Sequence, residues 1–204
     1  MIAVGVVGLL LYYAVACQSD RVAVKQVVQT GGYVKFVYYG PHWLTKLLGS
    51  SYPCKSAYIV EMGMKATDED LSPIKPLSQA KMLFLSGTHI EGPGLTNLLG
   101  WSKLQEIELT KSSVTDEGMR SLTVFPRIKR LTLRGTSITD AGIVYLEKLN
   151  ELQELNLKDT KVTDHCLQYL VKLPLKELDV RGTLVTSNGI AYLKTNNPSV
   201  EITY

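Results

Sequence analysis

Asp164-His165-Cys166 sets the three ingredients of nucleophilic catalysis side by side. A thiol becomes a nucleophile when a base takes its proton, and the base needs a carboxylate to orient it. His42, Trp43 and Cys54 form a second group, where an enzymatic site would lie between an N-terminal cap and the first repeats. The first group is weakened by helix geometry and a metal site by spacing, while the second group stays open. Adjacent helical residues do not face one another, and His42, His89 and His165 fall far apart with no metal-ligand spacing. The sequence contains no Cys-x-x-Cys, His-Glu-x-x-His, Gly-rich phosphate loop or Gly-x-Ser-x-Gly. The expectation is a non-enzymatic protein with no catalytic residue, metal, cofactor or small-molecule substrate.

The elements that would carry these residues repeat. The pattern L-x-x-L-x-L-x-x-T-x-V-T-D-x-G-L starts at Leu104, Ile128 and Leu152, a spacing of 24 residues, with shorter versions at Ala80 and Leu175. Each copy opens with alternating apolar residues, such as Ile107 and Leu109, Leu131 and Leu133, Leu155 and Leu157, or Leu178 and Val180. Side chains two apart share one face of a strand. A second apolar set follows at helical spacing: Met119 and Leu122, Ile143 and Leu146, Leu167 and Leu170, Ile190 and Leu193. Before it stand Thr115-Asp116, Thr139-Asp140 and Thr163-Asp164. Asp is a favoured N-cap, so its carboxylate is expected to cap the helix of its own repeat. Asp164-His165-Cys166 then falls on the Thr-Asp-x-Gly positions, matching Asp116-Glu117-Gly118 and Asp140-Ala141-Gly142, and Asp164 is explained without chemistry. One such unit cannot bury its own apolar face, so neighbours must stack strand to strand and helix to helix.

The unit resembles a leucine-rich repeat, in the short variant with Thr where the better-known consensus has Asn or Cys. It is similar to the tandem L-x-L-x-x-T-x-V-T-D-x-G-L proteins of planctomycete-type bacteria. The resemblance covers roughly residues 57–204. It implies a mixed α/β solenoid with parallel strands on the concave face and short helices on the convex face. It also implies that Thr88, Ser112, Thr136, Thr160 and Thr183 form a ladder bonding loop backbone between coils. Proteins of this architecture present surfaces, and one fold hosts many activities.

The terminal coils depart from the pattern. Residues 58–71 read as a first repeat one residue short, with Met64 and Ala66 for the usual Thr and Val. Glu91-Gly92-Pro93-Gly94 replaces Thr-Asp-x-Gly, so that helix must start differently. Asn196-Asn197-Pro198 stops the last helix, and residues 200–204 read as a final strand. About six coils result, the end ones atypical because they shield the core.

Residues 1–17 contain no charged side chain. An apolar run at the lower edge of bilayer-spanning length reads as a single-pass anchor or signal anchor. Cleavage after Ala14-Val15-Ala16, lipoprotein processing at Cys17 and a buried helix compete with that reading. Arg21, Lys25 and Lys35 follow the run, which favours a cytoplasmic location for the repeats, whereas the export readings favour the other side; orientation stays open. Residues 18–56 read as a cap: a helix over Arg21–Gln29 stopped by Thr30-Gly31-Gly32, a strand over Tyr33–Tyr39, and a second helix over Pro41–Gly49. Similar leaders ending in Pro-x-Trp-Leu precede the repeats in the bacterial family. The five cations of this region against the single acid Asp20 could help it lie on anionic lipid, but they are scattered rather than clustered, which favours ordinary solvated lysines.

The chain has 45% hydrophobic and 20% charged residues, and its net charge of +3 is too small to argue for nucleic acid. Three cysteines at unrelated spacings define no disulfide framework. A binding surface is therefore sought on the concave sheet. Alternation predicts one outward column of Met82, Glu106, Arg130, Glu154 and Glu177. A second holds Phe84, Glu108, Thr132, Asn156 and Asp179, and a third Ser86, Thr110, Arg134, Lys158 and Arg181. Opposite charges on neighbouring strands can simply pair with each other and keep the sheet soluble. They can equally set the specificity of a partner. Phe84, Glu106, Arg130, Arg134, Glu154, Lys158, Asp179 and Arg181 are the candidate contact residues, the arginines foremost for their bidentate bonding. The expected function is a membrane-associated protein–protein interaction module. The alternatives are a self-associating structural envelope protein and an enzyme at the cap–repeat junction.

Overall fold

The computed structural model describes residues 20–38 and 55–204. The segment 1–17, the second cap helix, His42, Trp43 and Cys54 lie outside the described residues. A helix over 20–29 leads into β1 (Tyr33–Tyr38), which pairs antiparallel with β2 (Lys55–Glu61). Six three-residue strands follow: β3 (Met82–Phe84), β4 (Glu106–Glu108), β5 (Arg130–Thr132), β6 (Glu154–Asn156), β7 (Glu177–Asp179) and β8 (Glu201–Thr203). The sheet runs β1 to β8 in chain order, and every pair from β2 onward is parallel. Parallel neighbours in sequence order, each joined by a returning segment on one side, make a solenoid.

The expected core is present. Leu131, Leu133, Leu155, Leu157 and Leu178 are buried in one continuous cluster with the convex set Met119, Leu122, Ile143, Leu146, Leu167, Leu170, Ile190 and Leu193. At the first coil Ala66 fills the slot of the usual Val, while Met64 is 73% exposed and supplies no ladder hydroxyl. Ala23 and Val27 of the N-terminal helix join the same core, and Gln26 Nε2 donates to Asp70 Oδ1 at 2.6 Å. The helix ends at Thr30, as expected from Thr30-Gly31-Gly32, with Gly31 at φ 89°.

Three local expectations are corrected. The convex segments are mostly 3-10 turns, including Pro93–Leu98 and Gly118–Val124, with α-turns only at Asp140–Ile143 and Leu167–Leu170 before a ten-residue helix, Ser187–Asn196. Packed α-helices need about 8–10 Å between axes, against about 4.8 Å between strands. Slimmer 3-10 turns reduce that mismatch. The hydroxyls of the expected ladder do not bridge coils. Those of Thr88, Ser112, Thr136, Thr160 and Thr183 each donate to the carbonyl three residues earlier, at 2.6–2.9 Å. They satisfy the turn that ends each strand.

Bridging falls instead to the Asp of Thr-Asp. The Thr is the N-cap at Thr139, Thr163 and Thr186, and the Asp carboxylate reaches the following coil. Asp140 accepts from Thr163 N at 2.8 Å and Thr163 Oγ1 at 2.6 Å, and Asp116–Thr139 and Asp164–Thr186 repeat the arrangement. Asp68 accepts from the backbone N–H groups of Glu91, Gly92 and Gly94. The row breaks where Gly92 stands in place of Asp. There the backbones close the gap, and a Cβ on Gly92 would lie 2.6 Å from Gly118 Cα.

After each strand from β3 to β7 one residue turns left-handed: Gly87, Lys111, Gly135, Asp159 and Gly182, at φ 54–67°. A side chain there costs about 1–2 kcal/mol. Lys111 is exposed, so Lys111→Gly is expected to raise stability by about 1 kcal/mol, net of the entropy glycine adds to the unfolded chain. Urea midpoints at unchanged m-value check this. A loss of stability would refute it.

Candidate functional site

The strand register aligns the concave side chains. Met82, Glu106, Arg130, Glu154, Glu177 and Glu201 follow one another across β3 to β8, and Phe84, Glu108, Thr132, Asn156, Asp179 and Thr203 run beside them. The backbone bonds Lys111 N to Arg134 O, Gly135 N to Lys158 O and Asp159 N to Arg181 O bring the third column into line. Strands of three residues with a buried central Leu or Ile leave their two outer side chains on the solvent face. Both floor columns continue past the expected five strands, adding Glu61 on β2 and Glu201 on β8. Extending the alternation into residues 58–61 and 200–204 would have found both.

Arg130 lies between two carboxylates. Its guanidinium grips Glu154 with two N–H groups, Nε to Oε2 and Nη2 to Oε1 (the latter 2.8 Å), and touches Glu106 Oε2 at 3.3 Å. The effects on the two acids differ. The Arg130 hydrogen bond holds the Glu154 carboxyl below its ordinary value. Burial, and then repulsion from Glu108 and Glu154, push Glu106 up despite Arg130. The fork is committed to Glu154, so its long contact with Glu106 compensates only part of that acid's desolvation.

The other candidate cations divide. Arg181 bonds Asp179 in its own coil at 3.0 and 2.6 Å and lowers the Asp179 carboxyl, while Arg134 approaches Asp159 at 3.7 Å. Lys158 makes no ion pair among the described residues and acts on Asp179 through its field. Phe84 is half-buried on the floor. Two grooves flank Arg130. One of about 210 Å³ is lined by Glu61, Met62, Phe84, Ser86, Glu106 and Glu108. The other, of about 300 Å³, lies over β5 to β8 and includes Glu154, Glu177, Asp179 and Glu201.

Asp164, His165 and Cys166 do not converge. Cys166 is fully buried, and burial, followed by the fields of Asp140 and Asp164, pushes its thiol far up, away from thiolate chemistry. Asp164 is occupied by Thr186, and His165 faces outward against the edge of Tyr169, with ring centroids 6.4 Å apart. Among the described residues no group of three His, Cys, Asp or Glu could hold a metal ion, and no helix is long and apolar enough to cross a membrane.

The strand register and the stacked 24-residue coils define a solenoid of leucine-rich-repeat architecture. No family model and no curated protein matches the chain. Among solved structures it is similar to a leucine-rich-repeat protein of Leptospira interrogans, at 17% identity over 65% of this chain with a TM-score of 0.49. It is also similar to internalin C2 of Listeria monocytogenes, at 24% identity over 65% of this chain with a TM-score of 0.46. This chain spans 33% of the first protein and 55% of the second.

Proposed function

We propose that this protein is a non-enzymatic interaction module that binds a protein partner through its concave sheet. In this reading Met1–Cys17 holds it at a membrane, and the N-terminal helix and β1 cap the first coil. The observation that supports binding is the pair of outward columns, held in register across β3 to β8 and carrying polar and charged side chains of both signs. A rigid array of that kind can be read by a partner without ordering cost on its own side. The apolar, uncharged composition of residues 1–17 supports the anchor.

One experiment addresses both parts. Full-length protein should pellet with membranes and resist high-salt extraction, and a chain beginning at Gln18 should be released. From those membranes crosslinking should capture a defined partner. Capture should fall when floor charges are reversed (Glu108→Lys with Glu177→Lys) or rim charges are reversed (Arg134→Glu with Arg181→Glu). The Arg134 and Arg181 pairs are exposed and contribute about 0–1 kcal/mol each, so Tm should move little with the rim reversal. Glu177 makes no ion pair within 4.0 Å among the described residues, and Glu108 gives up one hydrogen bond from Thr110 N, so Tm should move modestly with the floor reversal. His165→Ala with Cys166→Ser should leave capture intact. Capture indifferent to both concave pairs would refute the concave site, and loss on the His165/Cys166 pair with the fold preserved would favour chemistry instead.

A further inference from the structure

Resting on the concave-face reading, we propose that the sheet floor takes an extended segment of a protein partner carrying two Arg or Lys side chains four residues apart, one in each groove beside Arg130. Charge complementarity names the occupant. Among the described residues the two floor columns carry Glu61, Glu106, Glu108, Glu154, Glu177, Asp179 and Glu201 against one cation, Arg130. The protein neutralises only part of this. Arg130 serves Glu154 and grazes Glu106, and Arg181 serves Asp179. No ion pair within 4.0 Å among the described residues reaches Glu61, Glu108, Glu177 or Glu201. Burial first, and then repulsion from Glu108 and Glu154, raise the Glu106 carboxyl, and an arriving cation would offset the second of these.

Shape narrows the choice to a basic side chain. In the groove over β2 to β4, the half-buried Phe84 forms an apolar wall beside three carboxylates. A Lys or Arg lays its aliphatic stem on such a wall while its head meets the acids, and the ring face adds attraction for the cation. The groove over β5 to β8 offers Glu154, Glu177, Asp179 and Glu201 with Asn156 and Thr203 as neutral hydrogen-bonding neighbours. The acids are dispersed over successive strands and form no metal-holding group among the described residues. Spacing then selects an extended segment. Three strand intervals separate β4 from β7, about 14 Å, which an extended chain covers in about four residues. Arg130 lines the larger groove at its β5 edge, so the incoming cation there sits toward Glu177 and Glu201, and the middle of the segment stays free of a third basic residue.

The test uses the full chain in neutral detergent and labelled synthetic peptides about ten residues long. One carries arginines at its third and seventh positions, one carries them adjacent, and one has glutamates at the third and seventh. Fluorescence anisotropy should show binding of the spaced-arginine peptide above the other two, weakening with added salt. Glu108→Gln and Glu177→Gln should each weaken it by about tenfold, the factor that 1.4 kcal/mol sets. Glu117→Gln, on the convex side, should not. No binding, binding indifferent to Glu108 and Glu177, or equal competition by spermidine and the adjacent-arginine peptide would overturn the proposal. If capture of the membrane partner is lost with the Arg134/Arg181 reversal but not with the Glu108/Glu177 reversal, the concave site stands and this inference fails. If neither pair matters, the concave site itself falls.

Discussion

Gly118→Ala is expected to destabilise the protein by about 3 kcal/mol or more, at the upper end of what overpacking costs. A Cβ at Gly118 would stand 1.9 Å from the carbonyl oxygen of Glu91 in the preceding coil and 3.0 Å from Gly92 Cα. Both neighbours are backbone, so no rotamer change relieves the clash and the two coils must separate. Equivalent glycines face a softer obstacle. Cβ atoms at Gly142 and Gly189 would meet the Asp116 and Asp164 carboxylates at 2.5 and 2.1 Å. At the same repeat position the coil that opens with β6 accommodates Cys166 outright, fully buried. Cys166→Ala should therefore stay within about 1.5 kcal/mol, the scale of removing a small buried group. Chemical denaturation of both variants measures the contrast. Equal costs would mean that the close approach of coils at Gly92 and Gly118 is not what holds them together.

That contrast shows where a one-dimensional pattern informs and where it fails. Strand positions, their register and the buried face were legible because each depends on alternation within a copy and on the 24-residue offset between copies. The concave columns followed from the same rule. Thr-Asp was legible as a recurrent pair but misassigned, because a local reading sees only partners inside the same coil. The acceptor on Asp140 serves donors 23 residues later. The hydroxyl ladder failed in the opposite sense, since Thr136 Oγ1 finds its acceptor three residues back at Leu133. The left-handed turns at Lys111 and Asp159 have no residue-type signature, because they arise from the backbone path between neighbouring coils. The grip of Arg130 on Glu154 was legible as one of two readings of its column, opposite charges pairing between neighbouring strands, while its preference for Glu154 over Glu106 was not.

Leu155→Ala is expected to cost about 2–5 kcal/mol, the range for emptying a core leucine site. Leu155 is the central residue of β6, 3% exposed, with Leu131 and Leu178 opposite it on the flanking strands. Those partners are held in place by backbone bonds on both sides, so the cavity cannot collapse readily. In a solenoid each coil touches only its neighbours, and weakening one interior interface should uncouple the coils beyond it. Hydrogen exchange should then speed up from β6 to β8 more than from β2 to β4. Ile202→Ala offers the comparison: Ile202 lies on terminal β8, is only partly buried, and has a strand partner on one side, Leu178. Its loss should cost clearly less and leave β2 to β6 protected. A cost below about 1 kcal/mol at Leu155, or uniform loss of protection in both variants, would show that stability is not passed from coil to coil through this row of leucines.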